Sequence, residues 1–315
     1  MNDLMIWTEK YRPSRFSEIV GQYMIVERVH AFVKNKNMPN LLFSGPAGVG
    51  KSSLALVIAK ELYGPSWREN FLEMNASDSR GIDVVRNIIK DFARTKAIGN
   101  VPYKIIFLDE ADALTREAQQ ALRRTMENYT NNTRFLLSCN YSSKIIDPIL
   151  SRCTVFRFKP LSKDNFSEII KKICKNEKLK IADKAIEALF LISEGDARKM
   201  ENVLQSCAAI SQSINGKLIY DIVSLAEPKE IREVLSIARK DFLRARNKLL
   251  DVMLNHGLSG IDVIKQISKE IWNLDINDER KIMLIDKCGE IEFRMVEGSD
   301  EFIQLEALLS NFLEK

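Results

Sequence analysis

The sequence predicts an α/β domain with a parallel sheet, followed by a small helical lid and an all-α C-terminal domain. Up to residue 160, short runs of β-forming residues alternate with longer helical periodicities, which is typical of strands joined by crossover helices. After Pro160 the strand signal ends, and from Pro228 a new helical block runs almost to Lys315. The expected domains are therefore residues 1–160, 161–226 and 227–315.

Strands and helices are expected to alternate in the first part. Each predicted strand is a short apolar run, and each predicted helix repeats apolar residues at intervals of three and four. The predicted strands are Asn40–Ser44, Phe71–Met74, Lys104–Leu108, Arg134–Ser138 and Val155–Phe158. The predicted helices are Lys51–Leu62, Gly81–Lys96 and Arg116–Tyr129. Such an alternation requires a parallel sheet with helices on both faces.

The rest of the chain has helical periodicity only. Three helices are predicted at Asp164–Lys175, Ala182–Ser193 and Ala197–Ile210, with Asp196 as the N-cap of the third. Between residues 234 and 254 an apolar stripe repeats every three or four positions. We interpret this stripe as a core or subunit-packing face and not as a cofactor site.

Composition and charge narrow the class of protein. The 315 residues are 45% hydrophobic and 29% charged, which excludes disordered, collagen-like and mucin-like chains. The net charge of +4 is divided unevenly. Residues 1–160 contain 23 Lys and Arg against 16 Asp and Glu, whereas the remainder contains 24 against 27. The basic first half indicates an anionic partner.

No pattern indicates secretion, a membrane span or a structural metal. The N-terminus has an early Asp3 and no apolar core of a signal peptide, and no apolar run approaches 18 residues. The five cysteines are odd in number and widely spaced, and there are only two histidines. We therefore expect a soluble, intracellular protein with reduced, buried thiols and no zinc site.

Residues 45–52, Gly-Pro-Ala-Gly-Val-Gly-Lys-Ser, match the pattern G-x-x-x-x-G-K-[ST] in full. The glycines let backbone N–H groups point at phosphate oxygens, and the following helix directs its positive end at the same anion. Lys51 is expected to reach the β- and γ-phosphates, and the Ser52 hydroxyl to ligate Mg²⁺. A chance match is the alternative, but the predicted strand before and helix after are the context that the motif requires. The predicted nucleotide-binding residues here are Gly45, Pro46, Ala47, Gly48, Val49, Gly50, Lys51, Ser52 and Ser53.

Two acids end the third predicted strand. Asp109 is expected to hold Mg²⁺ with its waters, and Glu110 to orient and deprotonate the attacking water. The sequence lacks an N-K-x-D loop of the kind that reads guanine, which favours ATP over GTP. The second acid favours hydrolysis over phosphoryl transfer to a metabolite.

Several motifs occur together with the phosphate loop: Asp109–Asp112, Ser151–Cys153, and the stretches at residues 7–13, 75–83 and 120–127. On these motifs the chain resembles the AAA+ ATPases of the clamp-loader group, and more narrowly the replication factor C small subunits of archaea and eukaryotes. The likeness spans the chain, with its specific motifs in the first 200 residues. It implies a P-loop NTPase (AAA+) domain, a helical lid and a C-terminal collar domain that oligomerises.

The resemblance also implies roles for individual residues. Asn140 would be the sensor that positions the lytic water, and Arg198 the second sensor that reaches from the lid to the nucleotide. Arg152 would be an arginine finger offered to the ATP of a neighbouring subunit. With Glu110 these form the implied catalytic set. In the family, adenine lies under the N-terminal segment and the turn at residues 19–21, which implies that Arg12 and Val20 lie near the nucleotide.

In this family five subunits, one large and several small, form a spiral around primer–template DNA. The residues that match its phosphate-gripping inner lining are Ser77, Arg80, Ile82 and Arg86. Contacts of this kind neutralise the backbone without reading sequence. The surface around residues 92–103 would face the sliding clamp, with Ile98 as an apolar contact.

The expected function is that of an ATPase subunit that opens a ring-shaped sliding clamp and loads it onto primer–template DNA, with hydrolysis stimulated by DNA and clamp. One alternative is an AAA+ protein of the origin-recognition or branch-migration type; residues 228–315 lack the β-hairpin signals of the winged-helix domain usual there. A second is a non-hydrolysing scaffold subunit, which has no need of a complete site. The expected location is the cytoplasm of an archaeon or, for a eukaryotic chain, the nucleus.

Overall fold

The computed structural model describes residues 5–78, 83, 85–99 and 101–313, with only the backbone at residues 85 and 86. The chain forms two compact units. The first consists of the chain up to residue 179 with residues 189–205, and the second of residues 180–188 with the chain from residue 206 onward. The expected division near residues 160 and 226 stays a prediction. Among the described residues, no helix combines the length and apolarity needed to cross a membrane.

The first unit is built on a five-stranded parallel sheet. Its strands are β1 (Asn40–Ser44), β2 (Phe71–Asn75), β3 (Lys104–Asp109), β4 (Thr133–Cys139) and β5 (Cys153–Arg157). They lie in the order β2-β3-β4-β1-β5, and each neighbouring pair is parallel. All five predicted strands are found, with ends that differ by up to two residues.

Helices connect consecutive strands, as predicted, and further helices precede β1 or follow β5. Their bounds are α1 (Trp7–Lys10), α2 (Tyr23–Lys34), α3 (Lys51–Tyr63), α4 (Trp67–Asn70), α5 (Lys90–Arg94), α6 (Arg116–Asn128), α7 (Asp147–Leu150), α8 (Lys163–Asn176), α9 (Asp183–Ser193) and α10 (Ala197–Ile210). Side-chain caps begin two of the longer ones. The Thr115 hydroxyl accepts the Ala118 N–H of α6 at 3.2 Å, and the Ser162 hydroxyl accepts the Asn165 N–H of α8 at 3.3 Å.

The helix predicted over residues 81–96 is not regular where it is described. The backbone forms a π-helical turn at Val85–Ile89 and then α5. Apolar spacing near 3.6 residues does not reveal a turn widened by one residue. Ile88, one of the apolar residues on which that prediction depended, is 51% exposed.

Side chains of the sheet alternate between two apolar cores, one on each face. On β1, Leu41 and Phe43 lie in one core and Leu42 lies in the other. Helices α2 and α3 contribute to the first core and α6 contributes to the second. Burial of each such side chain contributes on the order of 1.5–3 kcal/mol to folding. The prediction of a parallel sheet with helices on both faces is confirmed.

The second unit is mainly helical. Its helices are α11 (Gly216–Val223), α12 (Pro228–Ala238), α13 (Phe242–His256), α14 (Gly260–Ile271), α15 (Asp278–Val296) and α16 (Glu301–Ser310). It also contains a parallel pair of two-residue strands, β6 (Lys180–Ile181) and β7 (Ser213–Ile214). The expectation that strands end at Pro160 is therefore wrong for this pair, because two residues are too few to produce a recognisable apolar alternation.

The apolar stripe at residues 234–254 belongs to two helices. Asp241 lies between them, and its carboxylate caps α13 by accepting the Arg244 N–H at 3.0 Å. Residues of the stripe on both helices lie in a single apolar core of this unit, including Leu235, Ala245 and Leu249. The interpretation of the stripe as a core face is confirmed.

Candidate nucleotide-binding site

The order of the strands brings the predicted site residues together. Strand β4 lies between β1 and β3, so the carboxyl ends of these three strands are adjacent at one edge of the sheet. The phosphate loop follows β1, Asp109 and Glu110 end β3, and Asn140 follows β4. The Gly45 N–H donates to the Cys139 carbonyl at 3.1 Å, which joins the start of the loop to the end of β4.

Lys51 lies at the centre of this edge. Its Nζ donates to the carbonyls of Gly45 and Pro46 at 2.5 and 2.7 Å and to Asn140 Oδ1 at 3.0 Å. The residue is only 7% exposed. Burial lowers the pKa of its ammonium below the ordinary value, and the nearby Asp109 carboxylate opposes that shift. Lys51 is thus a desolvated cation beside the phosphate loop, and it would attract an anion bound there strongly.

Ser52 and Asp109 form the next part of the site. The Ser52 hydroxyl donates to Asp109 Oδ2 at 2.7 Å, and the Ser138 hydroxyl donates to Asp109 Oδ1. The carboxylate is therefore held between the start of α3 and the end of β4. Ser138 is a site residue that sequence reasoning missed. The sequence feature that could have identified Ser138 is its position near the end of the strand that precedes Asn140.

A hydroxyl and a carboxylate oxygen in contact are the donor set that Mg²⁺ prefers, with the remaining positions left to water and phosphate. Among the described residues no group of three or more His, Cys, Asp or Glu side chains is placed to hold a metal ion. The residues present therefore fit a magnesium ion that Ser52 and Asp109 hold together with a nucleotide.

Glu110 has a strained backbone. Its φ and ψ are 54° and 40°, in the left-handed region that costs a residue with a side chain about 1–2 kcal/mol. Its N–H donates to Asp109 Oδ1 at 3.1 Å and to Ser138 Oγ at 3.3 Å, which holds this conformation. The side chain lines the cavity bordered by the phosphate loop.

Asn140 is oriented by a carboxylate that the sequence reasoning did not assign. Its own N–H and that of Tyr141 donate to Asp112 Oδ2 at 3.3 and 3.1 Å. Asp112 thereby fixes the turn that brings the Asn140 side chain to Lys51. The motif Asp109–Asp112 contains this acid, but its sequence pattern assigns a role only to Asp109 and Glu110.

The phosphate loop contacts the start of helix α10. The Ala197 N–H donates to the Gly48 carbonyl at 3.0 Å. Gly48 has a φ of +67°, and a Cβ built there would lie 1.7 Å from Asp196 Oδ1, so this contact requires glycine. Asp196 caps α10 by accepting the Lys199 N–H at 3.1 Å, as predicted. Arg198 follows at once and lines the cavity.

The N-terminal segment covers another side of the cavity. Arg12 and Val20 both line it, and Arg12 pairs with Glu9 at 3.4 Å. The segment is attached to the end of α8 by Lys10, whose Nζ donates to Glu177 at 2.5 Å, and by the Tyr11 hydroxyl, which donates to the same carboxylate. Glu177 was not foreseen, because nothing in its local sequence distinguishes it.

Most predicted nucleotide-binding residues line this cavity. They are Arg12, Val20, Ala47, Gly48, Val49, Gly50, Lys51, Ser52, Ser53, Asp109, Asn140 and Arg198, and the predicted catalytic Glu110 lines it as well. Gly45 and Pro46 do not line it but accept hydrogen bonds from Lys51. The cavity is also lined by Glu201, a buried carboxyl three residues after Arg198 that sequence reasoning missed.

Arg152 lies outside the cavity. Its Nη1 donates to the Pro148 carbonyl at 2.6 Å, and its Nη2 pairs with Glu127 Oε1 on α6, which also pairs with Arg123 at 3.3 Å. The side chain is exposed.

A buried glutamine joins α6 to the loop before α7. Gln119 is 3% exposed; its Nε2 donates to the carbonyls of Leu114 and Lys144 at 3.2 and 3.0 Å, and its Oε1 accepts the Ile146 N–H at 2.9 Å. Two of the three bonds reach the loop that precedes α7 and Arg152, and the third reaches the Leu114 carbonyl just before α6.

The four predicted DNA-contacting residues are only partly described. The N–H and hydroxyl of Ser77 both donate to Asn75 Oδ1 at 2.9 Å, in a turn just after β2. Arg80 and Ile82 lie outside the described residues. For Arg86 only the backbone is described, in the π-helical turn.

Comparison with known proteins agrees with this geometry. The family of ATPases associated with various cellular activities (AAA) matches residues 41–161, and the replication factor C C-terminal domain matches residues 226–311. The chain is 53% identical to the replication factor C small subunit of Sulfolobus acidocaldarius over 313 residues, which cover 98% of this chain and 96% of that protein. It is 51% identical to that of Archaeoglobus fulgidus over 311 residues, covering 98% of each.

Among solved structures, the Thermotoga maritima RuvB Holliday junction branch migration motor superposes with a TM-score of 0.57 at 18% identity, over 76% of this chain and 85% of that one. A likeness at this identity shows the shared AAA+ fold alone. The small subunits, in contrast, are more than half identical over nearly the whole chain. The chain therefore belongs to the replication factor C small-subunit family of AAA+ ATPases, the ATPase subunits of clamp loaders.

Proposed function

We propose that this subunit hydrolyses ATP with Mg²⁺ to open a ring-shaped sliding clamp and to load it onto primer–template DNA, and that DNA and clamp stimulate the hydrolysis. The observation that carries the ATPase part is the hydrogen-bonded set of Lys51, Asn140, Ser52 and Asp109 around one cavity, with Glu110 beside it. Relatives more than 50% identical favour this function over that of a branch migration motor.

Each residue of the set has a distinct task. Lys51 and Arg198 bind the phosphates, while Ser52 and Asp109 hold Mg²⁺. When bound, the ion neutralises the negative charge that accumulates on the phosphate oxygens. The carboxylate of Glu110 accepts a proton from the attacking water, and the Asn140 amide orients that water.

Arg152 acts on the ATP of a neighbouring subunit. Two observations support this: the side chain is exposed, and it does not line the cavity of its own chain. Its pair with Glu127 is an exposed ion pair worth about 0–1 kcal/mol, so release toward a neighbour costs little. An arginine supplied in this way accelerates phosphate hydrolysis by roughly 10³–10⁵ in comparable enzymes, and hydrolysis therefore depends on assembly.

The clamp, the DNA and the other subunits contact different parts of the chain. The basic first half suits DNA phosphates, with Ser77, Arg80, Ile82 and Arg86 as the contacting residues. Ile98, which is half exposed and held by two hydrogen bonds between its backbone and the buried Asn70, suits an apolar contact with the clamp. The C-terminal domain, from residue 227, joins a large subunit and further small subunits in a pentamer.

An ATPase assay with and without primed DNA and clamp tests the proposal. Wild-type complex should hydrolyse ATP faster when both are present, and Lys51→Ala should abolish ATP binding. Arg152→Ala in every small subunit should leave ATP binding intact and remove the stimulated hydrolysis. A normal stimulated rate in that complex would contradict the role of Arg152 in the neighbouring site, and a rate that ignores DNA and clamp would contradict the loading function.

A further inference from the structure

We propose that Glu201 is a selectivity residue of the nucleotide site, and that its carboxylate accepts a hydrogen bond from the nucleoside. The donor would be a ribose hydroxyl or the 6-amino group of adenine. This inference rests on the proposed function, because it requires that the cavity binds a nucleoside triphosphate.

The first observation is that Glu201 is a largely buried residue whose carboxyl opens onto the cavity and has no partner there. Glu201 lines the cavity and is 9% exposed. Within the described part of the chain, its carboxyl makes no hydrogen bond or ion pair. Its oxygens are not among the enclosed side-chain atoms that lack a partner, so they are accessible from the cavity. A ligand that brings a donor into the cavity would satisfy it.

The second observation is the place of Glu201 along α10. The helix begins on the phosphate loop, where the Ala197 N–H contacts the Gly48 carbonyl, and Arg198 is its next residue. Glu201 lies three residues further on the same face, about 4.5 Å along the axis and away from the loop. The carboxyl is thus displaced from the phosphates, toward the part of the cavity where a nucleoside would lie.

The third observation is the charge around it. Arg198 is the nearby cation, while Asp196 on the same helix and Glu9 on the N-terminal segment are nearby anions. A carboxyl with two anionic neighbours and one cation repels phosphate oxygens and favours a neutral hydrogen-bond donor. In ATP those donors are the 2′- and 3′-hydroxyls and the 6-amino group.

Apolar walls support the same placement. The cavity is lined by the apolar side chains of Ile19, Val20, Ile169 and Ile173, which suit the face of a base. Polar side chains, among them Thr8, Tyr11 and Lys172, line the same cavity, and the few polar groups that contact a bound ligand fix its orientation and selectivity. Such a group discriminates strongly against ligands without the donor, because it is then left buried and unpaired.

Binding of four nucleotides distinguishes the two donors. Affinities of wild-type complex and of Glu201→Leu are measured by calorimetry at pH 8, where the Glu201 carboxyl is ionised, with Mg²⁺ and ATP, 2′-deoxyATP, 3′-deoxyATP or ITP, which has a keto oxygen in place of the amino group. We expect wild type to prefer ATP by about tenfold over the analogue that lacks the recognised donor, the factor typical of a hydrogen bond to a charged group. Loss on a deoxy analogue identifies the ribose, and loss on ITP identifies the amino group.

The variants decide whether Glu201 causes the preference. Glu201→Leu should reduce it to less than about twofold, and Glu201→Gln, which keeps the shape and one acceptor, should retain part of it. Glu27→Gln, a change of an exposed carboxyl on α2, should leave it unchanged. The inference is overturned if wild type does not discriminate among the nucleotides, if Glu201→Leu keeps the wild-type preference, or if it weakens all four nucleotides equally, as expected for an effect through Arg198.

Failure of the proposed function has a different signature. In that case the wild-type complex binds none of the four nucleotides, or the Lys51→Ala complex binds them as tightly as the wild-type complex does. If ATP binds through Lys51 and the preferences are insensitive to residue 201, only the role of Glu201 is wrong.

Discussion

Replacement of Glu201 by glutamine is expected to stabilise the nucleotide-free protein at alkaline pH. Burial raises the pKa of the Glu201 carboxyl from an ordinary 4.5 to about 7, with Asp196 and Glu9 adding to the shift and Arg198 opposing it. A carboxyl whose pKa is raised by folding binds its proton more tightly in the folded state. Ionisation of this group therefore destabilises the fold.

The magnitude follows from the shift in pKa. Below pH 4.5 the carboxyl is neutral in both states and contributes no pH dependence. Between pH 4.5 and 7 the unfolded chain binds fewer protons, so the free energy of unfolding falls as the pH rises. Above pH 7 the penalty is constant at about 3 kcal/mol. Glutamine cannot ionise, so the advantage of Glu201→Gln over wild type should grow by about 2 kcal/mol between pH 5 and pH 8.

Urea unfolding at pH 5 and pH 8 measures this difference. The first unit contains Trp7 and Trp67, whose fluorescence reports its unfolding together with circular dichroism. Any effect of the amide that does not depend on pH cancels when the two pH values are compared. Glu27→Gln is the control and should behave as wild type at both. An advantage of Glu201→Gln that is equal at pH 5 and pH 8 would refute the reasoning.

Three further substitutions test other contacts. Gly48→Ala should lower the free energy of unfolding by about 2 kcal/mol in urea titrations, because the added Cβ displaces Asp196 and strains the loop. Asp112→Ala should reduce kcat by roughly tenfold or less with little change in the Kd for ATP, because it removes the acceptor that orients Asn140. Gln119→Leu should cost about 3 kcal/mol of stability, because it leaves three backbone groups without partners.

Each of these has a control and a contradicting outcome. Gly50→Ala is the control for Gly48→Ala, because a Cβ at Gly50 has open space although its φ is also positive; equal losses would show that the contact with Asp196 does not matter. A raised Kd at unchanged kcat would contradict the role of Asp112. For Gln119→Leu, an unchanged urea midpoint would contradict the cost of the unpaired groups.

The sequence predicted the strands and the phosphate loop well, because these depend on local patterns. The residues of the loop pattern themselves determine its backbone: Gly48 and Gly50 adopt a positive φ, and Lys51 begins a helix as expected. The five strands of the sheet followed from short apolar runs. The π-helical turn and strands β6 and β7 were missed, since neither changes the apolar spacing enough to be recognised.

The site was predicted only in part. Asp109, Glu110 and Asn140 follow predicted strands, and the motifs identified them. Ser138 and Glu201 carry no motif of their own, because their importance comes from the residues that they face.

The sequence by itself determined the fold class, the phosphate loop and the family, since apolar periodicity and motif spacing are properties of short stretches of chain. Only the tertiary structure decided the strand order that places β4 between β1 and β3, and with it the contact of Lys51 with Asn140 across 89 residues. It also decided that Arg152 lies outside the cavity and that Glu201 lies within it. Both depend on which distant segments pack together, and burial and charge at a residue are set by those neighbours.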